Sequence, residues 1–544
     1  MAWGGIGDRG RSAAWRRQAT RRIAVGGLAL LAALAAASCW NVDLTGLAGG
    51  TGSGEATGRA VGPVTAFGSI VVGGVDFADN SVTTVVDDQG RGLADLVEGM
   101  VLTVDGKISA DFSTGSGSSV TIEREVRGPV DDNGVSLEAN ALTVLGQSVI
   151  VTPTTVMVRS AGRDFTLQDL QDQLAGGSYP GLEIHGPAED NGTIHAAFIE
   201  WEQSNVVADD SVALRGKISG FDGIAGTFFI GGQMVNYRGL PSGGRVDWPV
   251  TGLSDGLFAD VQGYVDAVGG AGVVRTDRAG DQIAVLTVSL GGRGDRVTAE
   301  GYVLSGGSAS FTLSVPGGVA TVNSGVAPTG DPFAVRKKVR VQGTLSGTAG
   351  TTVQASSLTV LKTNDILMEG VPGGVPTDGD TMTLLGKTVQ TDRFTIYRDL
   401  SGLVATGFGL ASLSTADTVR VIGWFDNTVA PGKVSAARLE RIDVVPLATV
   451  ALQGPVASAS TAPVITILGV NVVTNTANTD YYDKGGVALS GQSAFFLKLA
   501  SLGAGTVVQV RNGVFTSGSS GIISRIEPPS TGSPMEVEIV TINN

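Results

Sequence analysis

The chemistry that this chain of 544 residues could perform is bounded first by its two histidines, His185 and His195. Asp190-Asn191-Gly192 lies between them and reads as a hairpin turn, which would set the two residues opposite each other on antiparallel strands. With Leu182, Ile184 and Ile194 facing a core, both imidazoles are expected to point to solvent, near Glu183 or Glu200. A cross-strand imidazole pair can hold a divalent metal if a third ligand joins it. His185 and His195 are therefore the metal candidates, although no resident metal or other cofactor is expected.

Carboxylates come in pairs: Asp87-Asp88, Asp131-Asp132, Asp209-Asp210, and Asp378 with Asp380. A glycosidase needs two across a cleft, and a calcium loop needs oxygens at alternate positions with a distal Glu. Asp131-Asp132-Asn133-Gly134 runs on into Val, Ser and Leu, so the calcium spacing fails. These pairs read as solvated turns. A Gly-x-Ser-x-Gly elbow would need a histidine downstream, and the last is His195. Gly386-Lys387-Thr388 lacks the earlier glycine of a phosphate loop, and Gly291-Gly292-Arg293-Gly294 lacks a dinucleotide-binding context. No catalytic residue is assigned, and a carboxylate-dependent hydrolase ranks last among the readings.

The elements that must position these residues announce themselves by repetition. Leu102-Thr103-Val104-Asp105-Gly106 returns as Leu182 to Gly186, Ala259 to Gly263, Val339 to Gly343 and Val419 to Gly423. With one extra residue it returns again as Val508 to Gly513, where Asn512 reads as a bulge. A second phrase opens each unit, at Gly62, Gly128, Gly216, Gly301, Gly370 and Gly454, spaced by 66 to 88 residues. Such spacing is domain-sized rather than solenoid-like. With 81 glycines, only 17 Phe and 42% apolar residues, the chain reads as all-β.

Within a unit, three strands precede a segment with apolar residues three and four apart. Leu93, Leu96 and Val97 show that spacing, as do Leu167, Leu170 and Leu174, and Phe495, Phe496, Leu499 and Leu502. Two more strands follow. Strand, strand, strand, helix, strand, strand is the order of an OB-type barrel, a five-stranded barrel plugged by a helix. The expected architecture is a tandem array of six such modules, at 58–124, 125–207, 208–293, 294–362, 363–446 and 447–529. A tail at 530–544 has room for one strand. Six modules in line would reach beyond roughly 100 Å. In the phrase, the glycine is expected to face inward and the polar residues outward. Tyr264 and Trp424 share an outward slot and are the candidates for stacking on a sugar or base.

Address comes from the first 38 residues, with six arginines, one aspartate and an apolar run from Ile23 to Ser38, a signal-peptide pattern. Leu34-Ala35-Ala36-Ala37-Ser38-Cys39 resembles a lipobox, in which Cys39, the only cysteine, is acylated. Ordinary cleavage after Ala-x-Ala is the alternative. Trp40 after the cysteine favours the outer membrane, and Thr20-Arg21-Arg22 resembles a twin-arginine export signal. Residues 39–57 read as a Gly/Ser/Thr-rich tether.

Phe67 to Val75 and Gly99 to Lys107 carry a resemblance to an exported bacterial repeat family, domain of unknown function 5666, best in the first module. That resemblance implies tandem units of this kind and no activity. Net charge of −14 argues against nucleic acid as a partner, and Arg336-Lys337-Lys338 reads as a solvated strand edge. The reading is an exported, lipid-anchored envelope protein, not an enzyme, at the outer membrane, cell surface or periplasm. Its partners are the membrane through the lipid and an envelope protein or glycan. A glycan- or polymer-binding protein is the alternative.

Overall fold

Short alternating runs of valine, threonine and glycine dictate strands, and the computed structural model of this chain consists almost wholly of them. It describes residues 54–67, 69–78, 81–159, 164–269, 272–347, 350–375, 379–403, 407–428, 432–457, 461–517, 521–524 and 533–542. The expected export segment, Cys39, the expected tether through residue 53 and Asp378 lie outside the described residues. No helix among those described is long and apolar enough to cross a membrane.

In the first segment, Ala56–Ala66 pairs with Ile70–Val72, which pairs with Val75–Phe77. Val75–Phe77 runs parallel to Thr114–Ile122, and Val101–Ile108 returns from there to Ala56–Ala66. The second segment closes the same cycle through Val126–Ser136, Ala141–Val144, Gln147–Arg159, Ile194–Gln203 and Gly181–His185. One parallel contact among antiparallel ones is the OB order. Helix Leu167–Ala175 enters between the third and fourth strands of the second segment. It is capped by Thr166 and buries Leu167 and Leu170.

At least two closed five-stranded OB-like barrels are thus present, with flanking strands such as Thr84–Val86. Residues 366–539 build a more open half-barrel. Its first strand is broken into Ile366–Gly370 and Pro372–Gly374, and near its far end Val456 and Ile467 meet in an isolated bridge. The expected helix at Leu93 is a single 3-10 turn, Leu93–Asp95. Helix Gln492–Leu502 forms and buries Phe495, Phe496 and Leu499, but Leu502 is exposed. The tail strand, Met535–Ile539, pairs with both Thr479–Asp483 and Val507–Thr516.

The expected row of modules is not what the pairing builds. Opening strands join across segments, Ala56–Ala66 with Arg296–Gly307, Val126–Ser136 with Ser211–Asp222, and Ile366–Gly370 with Val450–Pro455. The first segment therefore joins the fourth, skipping two neighbours. Apolar cores follow suit: one cluster runs from Val126 to Val285 and another from Ile366 to Ile539. Val156, Val158 and Phe198 of the second segment pack into the core of the first. Residues 54–544 form one compact unit.

The repeated glycine has a specific cause. A Cβ on Gly106, Gly186, Gly263, Gly343 or Gly423 would fall inside contact distance of a backbone carbonyl on the paired strand: Ser116, His195, Arg275, Gln354 and Ser435, respectively. At Gly106, Gly343 and Gly423 the strand register also shifts, so these glycines sit at bulges. Gly513 differs, because its neighbour is the Ile523 side chain and Asn512 takes the left-handed turn at φ 58°. Gly423→Val is expected to lower the urea midpoint by the equivalent of at least about 1–3 kcal/mol. Gly243→Ala, whose added methyl meets open space, should leave it unchanged. Equal effects of the two substitutions would refute the close-approach explanation.

Candidate functional site

The polar positions of the phrase point out of each barrel, as alternation requires, yet they meet another segment rather than water. On the rung between opening and fourth strands, Arg59 stands opposite Asp105, Arg127 opposite Glu183, Arg215 opposite Asp260, Glu300 opposite Arg340, and Glu369 opposite Arg420. The charged atoms lie 2.6, 3.9, 3.2, 2.6 and 3.0 Å apart. In the last segment the same rung holds Gln453 and Gln509. Asp87 and Asp88 are interface groups rather than solvated turn residues: Asp87 binds Arg91, and Asp88 binds Arg124 and Arg127.

Both histidines depart from expectation. His185 is fully buried, with Nε2 2.8 Å from Glu183 Oε1 and its ring edge-on to Phe198. His195 is 6% exposed, with Nε2 2.8 Å from Glu189 Oε1 and its ring stacked on Tyr302 at 3.9 Å. His185 faces Phe198 across the ladder, and His195 pairs with Ile150, so the two do not stand opposite each other. Covering barrels turned outward positions into buried ones. Among the described residues no group of three or more His, Cys, Asp or Glu side chains could hold a metal.

Tyr264 is not an open platform either. Its hydroxyl donates to Asp277 Oδ1 at 2.6 Å, and the Arg278 guanidinium covers the ring at 3.3 Å. Trp424, half-buried on Thr418–Asp426, does reach a cavity. That cavity, of about 140 Å³, opens where four segments meet. Pro63 and Thr65 come from the first, His195 from the second, Tyr302 and Arg340 from the fourth, and Phe394 and Trp424 from the fifth. The linker carrying Lys362 and Asn364 completes the wall. Lys337 and Lys338, expected to be solvated, also line it, while Arg336 alone of that run is strongly exposed.

Electrostatics in this wall are ordered. Burial works to raise the Glu300 pKa, but Arg340 and Lys338 hold it down at about 2. Arg340 donates to Glu300 Oε1 from Nε at 2.8 Å and Nη2 at 2.6 Å, and lies 3.2 Å over the Phe394 ring. Burial, with Glu189 and Glu300 nearby, pushes the Tyr302 hydroxyl up, so it stays a neutral donor at physiological pH. Tyr302, Glu300 and Phe394 carry no local signal of a site in the sequence, because Glu300 and Tyr302 sit on a strand of the fourth segment and Phe394 in a turn of the fifth. Trp424 and Lys337-Lys338 were visible as residue types, but their meeting was not.

A second polar junction locks the second segment to the fifth. Arg398 donates to Glu440 Oε1 at 2.7 Å and to Asp164 Oδ1 at 2.9 Å. Arg438 donates to the carbonyl of Thr155 at 2.8 Å. The two segments mirror each other: Thr155 Oγ1 donates to the Ala196 carbonyl at 2.6 Å, and Thr395 Oγ1 to the Ala436 carbonyl at 2.8 Å.

Comparison with protein families matches these same two segments. Residues 127–200 and 375–439 each fit the family model described as Domain of unknown function (DUF5666). The matches fall on the second and fifth segments rather than on the first, where the resemblance was expected to be best. No curated protein matches the chain.

Buried carboxylates give the stability a defined pH dependence. Burial opposes ionisation of Glu440, yet Arg438, Arg398 and Arg420 hold it at about 2, as Glu300 is held. These depressed groups stabilise the fold above the ordinary glutamate value of 4.5 and lose that contribution as pH falls towards 2. Burial raises Glu125 to about 8 and Glu202 to about 7. Their contribution is complete below 4.5 and is lost as pH rises through 7 and 8. The urea midpoint is therefore expected to peak on the acidic side, near about pH 5, and Glu125→Gln should flatten the alkaline limb. A midpoint still rising at pH 8 would contradict this assignment.

Proposed function

We propose that this protein is an exported, non-catalytic envelope protein, tethered through a lipid on Cys39, whose OB-like modules form a rigid body with a structural and ligand-presenting role. The observation that carries the reading is the set of buried charge contacts joining segments distant in the chain, such as Arg398 with Asp164 and Glu440. A string of flexible beads would leave such groups in water. Removing one partner from a buried pair typically costs about 3–5 kcal/mol, so contacts of this kind resist separation. In the finer form of this proposal all six units are barrels, associated as first with fourth, second with third and fifth with sixth.

A second reading, binding of a glycan or another extracellular polymer, draws support from Trp424 beside lysines in a shared cavity. The acidic balance of the whole chain argues against nucleic acid in that role. The anchor and the address are tested together. Expressed in a bacterial host, the full chain should partition into the detergent phase, and Cys39→Ser should move it to the aqueous phase. Detergent partitioning that persists in Cys39→Ser would refute lipid anchoring at that residue.

A further inference from the structure

The four-segment cavity is distinctive because the repeat does not produce it. It exists only where faces of different segments converge, so repeat positions such as the Glu300–Arg340 rung and the Trp424 slot meet there in a combination that no single unit contains. Its charge is also opposite to that of the chain. Lys337, Lys338, Arg340 and Lys362 line it, against the two carboxylates Glu300 and Asp392. Glu300 is already engaged by Arg340, and Lys338 stands 3.3 Å from it. The nearest acid to Lys337 is Asp331, at 3.7 Å and outside the lining. A wall with surplus cations in a chain of net charge −14 favours an anion.

Size and apolar surface narrow the class. An apolar cavity of about 150 Å³ holds one benzene ring, and this one measures about 140 Å³. A nucleotide, with base, sugar and phosphate, exceeds that space. Trp424 supplies aromatic surface, which packs against the apolar face of a six-membered ring, while one face of Phe394 on the same wall is taken by Arg340. Asn364 Oδ1 on the same wall is buried without a hydrogen-bond partner, an acceptor that a hydroxyl-bearing ligand would satisfy.

We propose that the cavity where the first, second, fourth and fifth segments meet binds a single six-membered ring bearing a carboxylate. The ring packs on Trp424, and the lysines of the wall answer the carboxylate. The proposal rests on the ligand-presenting part of the reading above and is independent of the anchor. Two sources share this chemistry: an acidic sugar unit and an aromatic acid.

The test is isothermal titration of the purified full chain with galacturonate, benzoate, galactose and inorganic phosphate. A dissociation constant of about 1 mM is expected for a ligand of this size. Binding of galacturonate alone assigns the acidic sugar, and binding of benzoate alone assigns the aromatic acid. Either affinity should fall by roughly five- to tenfold in Trp424→Ala and in Lys337→Gln/Lys362→Gln. Both lysines are partly exposed, so an unchanged thermal melt is expected of the double variant and certifies its fold. Failure of both ring carboxylates to bind overturns the proposal. So does galactose or phosphate binding as tightly, or a folded double-lysine variant that binds unchanged. None of these outcomes bears on partitioning through Cys39, so failure here is separable from failure of the anchored, structural reading.

Discussion

An ionised side chain taken out of water must find its counter-charge, and most of this molecule's architecture follows from how that demand is met. The rung between opening and fourth strands projects outward from each barrel. In five segments it carries one acid and one base: Arg59 with Asp105, Arg127 with Glu183, Arg215 with Asp260, Glu300 with Arg340, and Glu369 with Arg420. On a lone barrel these pairs would be solvated and worth little. Here neighbouring segments cover them, and second counter-ions join four: Asp88 to Arg127, Glu123 to Arg215, Lys338 to Glu300 and Glu440 to Arg420. Each of those four pairs thus belongs to a partly desolvated network. The opening strand carries the base in the first three segments and the acid in the fourth and fifth. Faces of like shape therefore differ in charge.

The same coverage explains the histidines. His185 and His195 were expected in water because alternation points them away from a core. Alternation was right about direction. What lies in that direction is Phe198 and a buried Glu183 for one, and Tyr302 of another segment for the other. Each imidazole is consumed by a separate carboxylate, which removes the cross-strand pair that a metal would need. The cavity is the complement of this packing. Convex segments leave space where four of them converge, and the side chains that border the gap come from four separate units.

Legibility in the sequence tracks the range of the interaction. The Val-x-Gly phrase foretold a glycine whose side chain could not be larger, because the constraint sits on one strand pair, as Gly423 shows against the Ser435 carbonyl. Spacing of three and four located the helices Leu167–Ala175 and Gln492–Leu502, since a helix packs one face on its own barrel. The same spacing at Leu93 yielded only a 3-10 turn, too few residues following to continue it. Asp88 looked like a turn acid, and its arginine partners Arg124 and Arg127 stand on a neighbouring strand region that no local pattern connects to it.

By itself, the sequence determined strand order, register glycines and the outward direction of each polar slot. These depend on alternation, bulge sterics and residue type within a single unit. Only the tertiary structure decided what the outward slots face, because that depends on which opening strands pair, and Ala56–Ala66 chose Arg296–Gly307 far along the chain. That choice buried the ion pairs, separated the histidines and brought Trp424 to the lysines of another segment. A repeat encodes its own interior. Its neighbours are selected by charge and shape over surfaces that no single repeat contains.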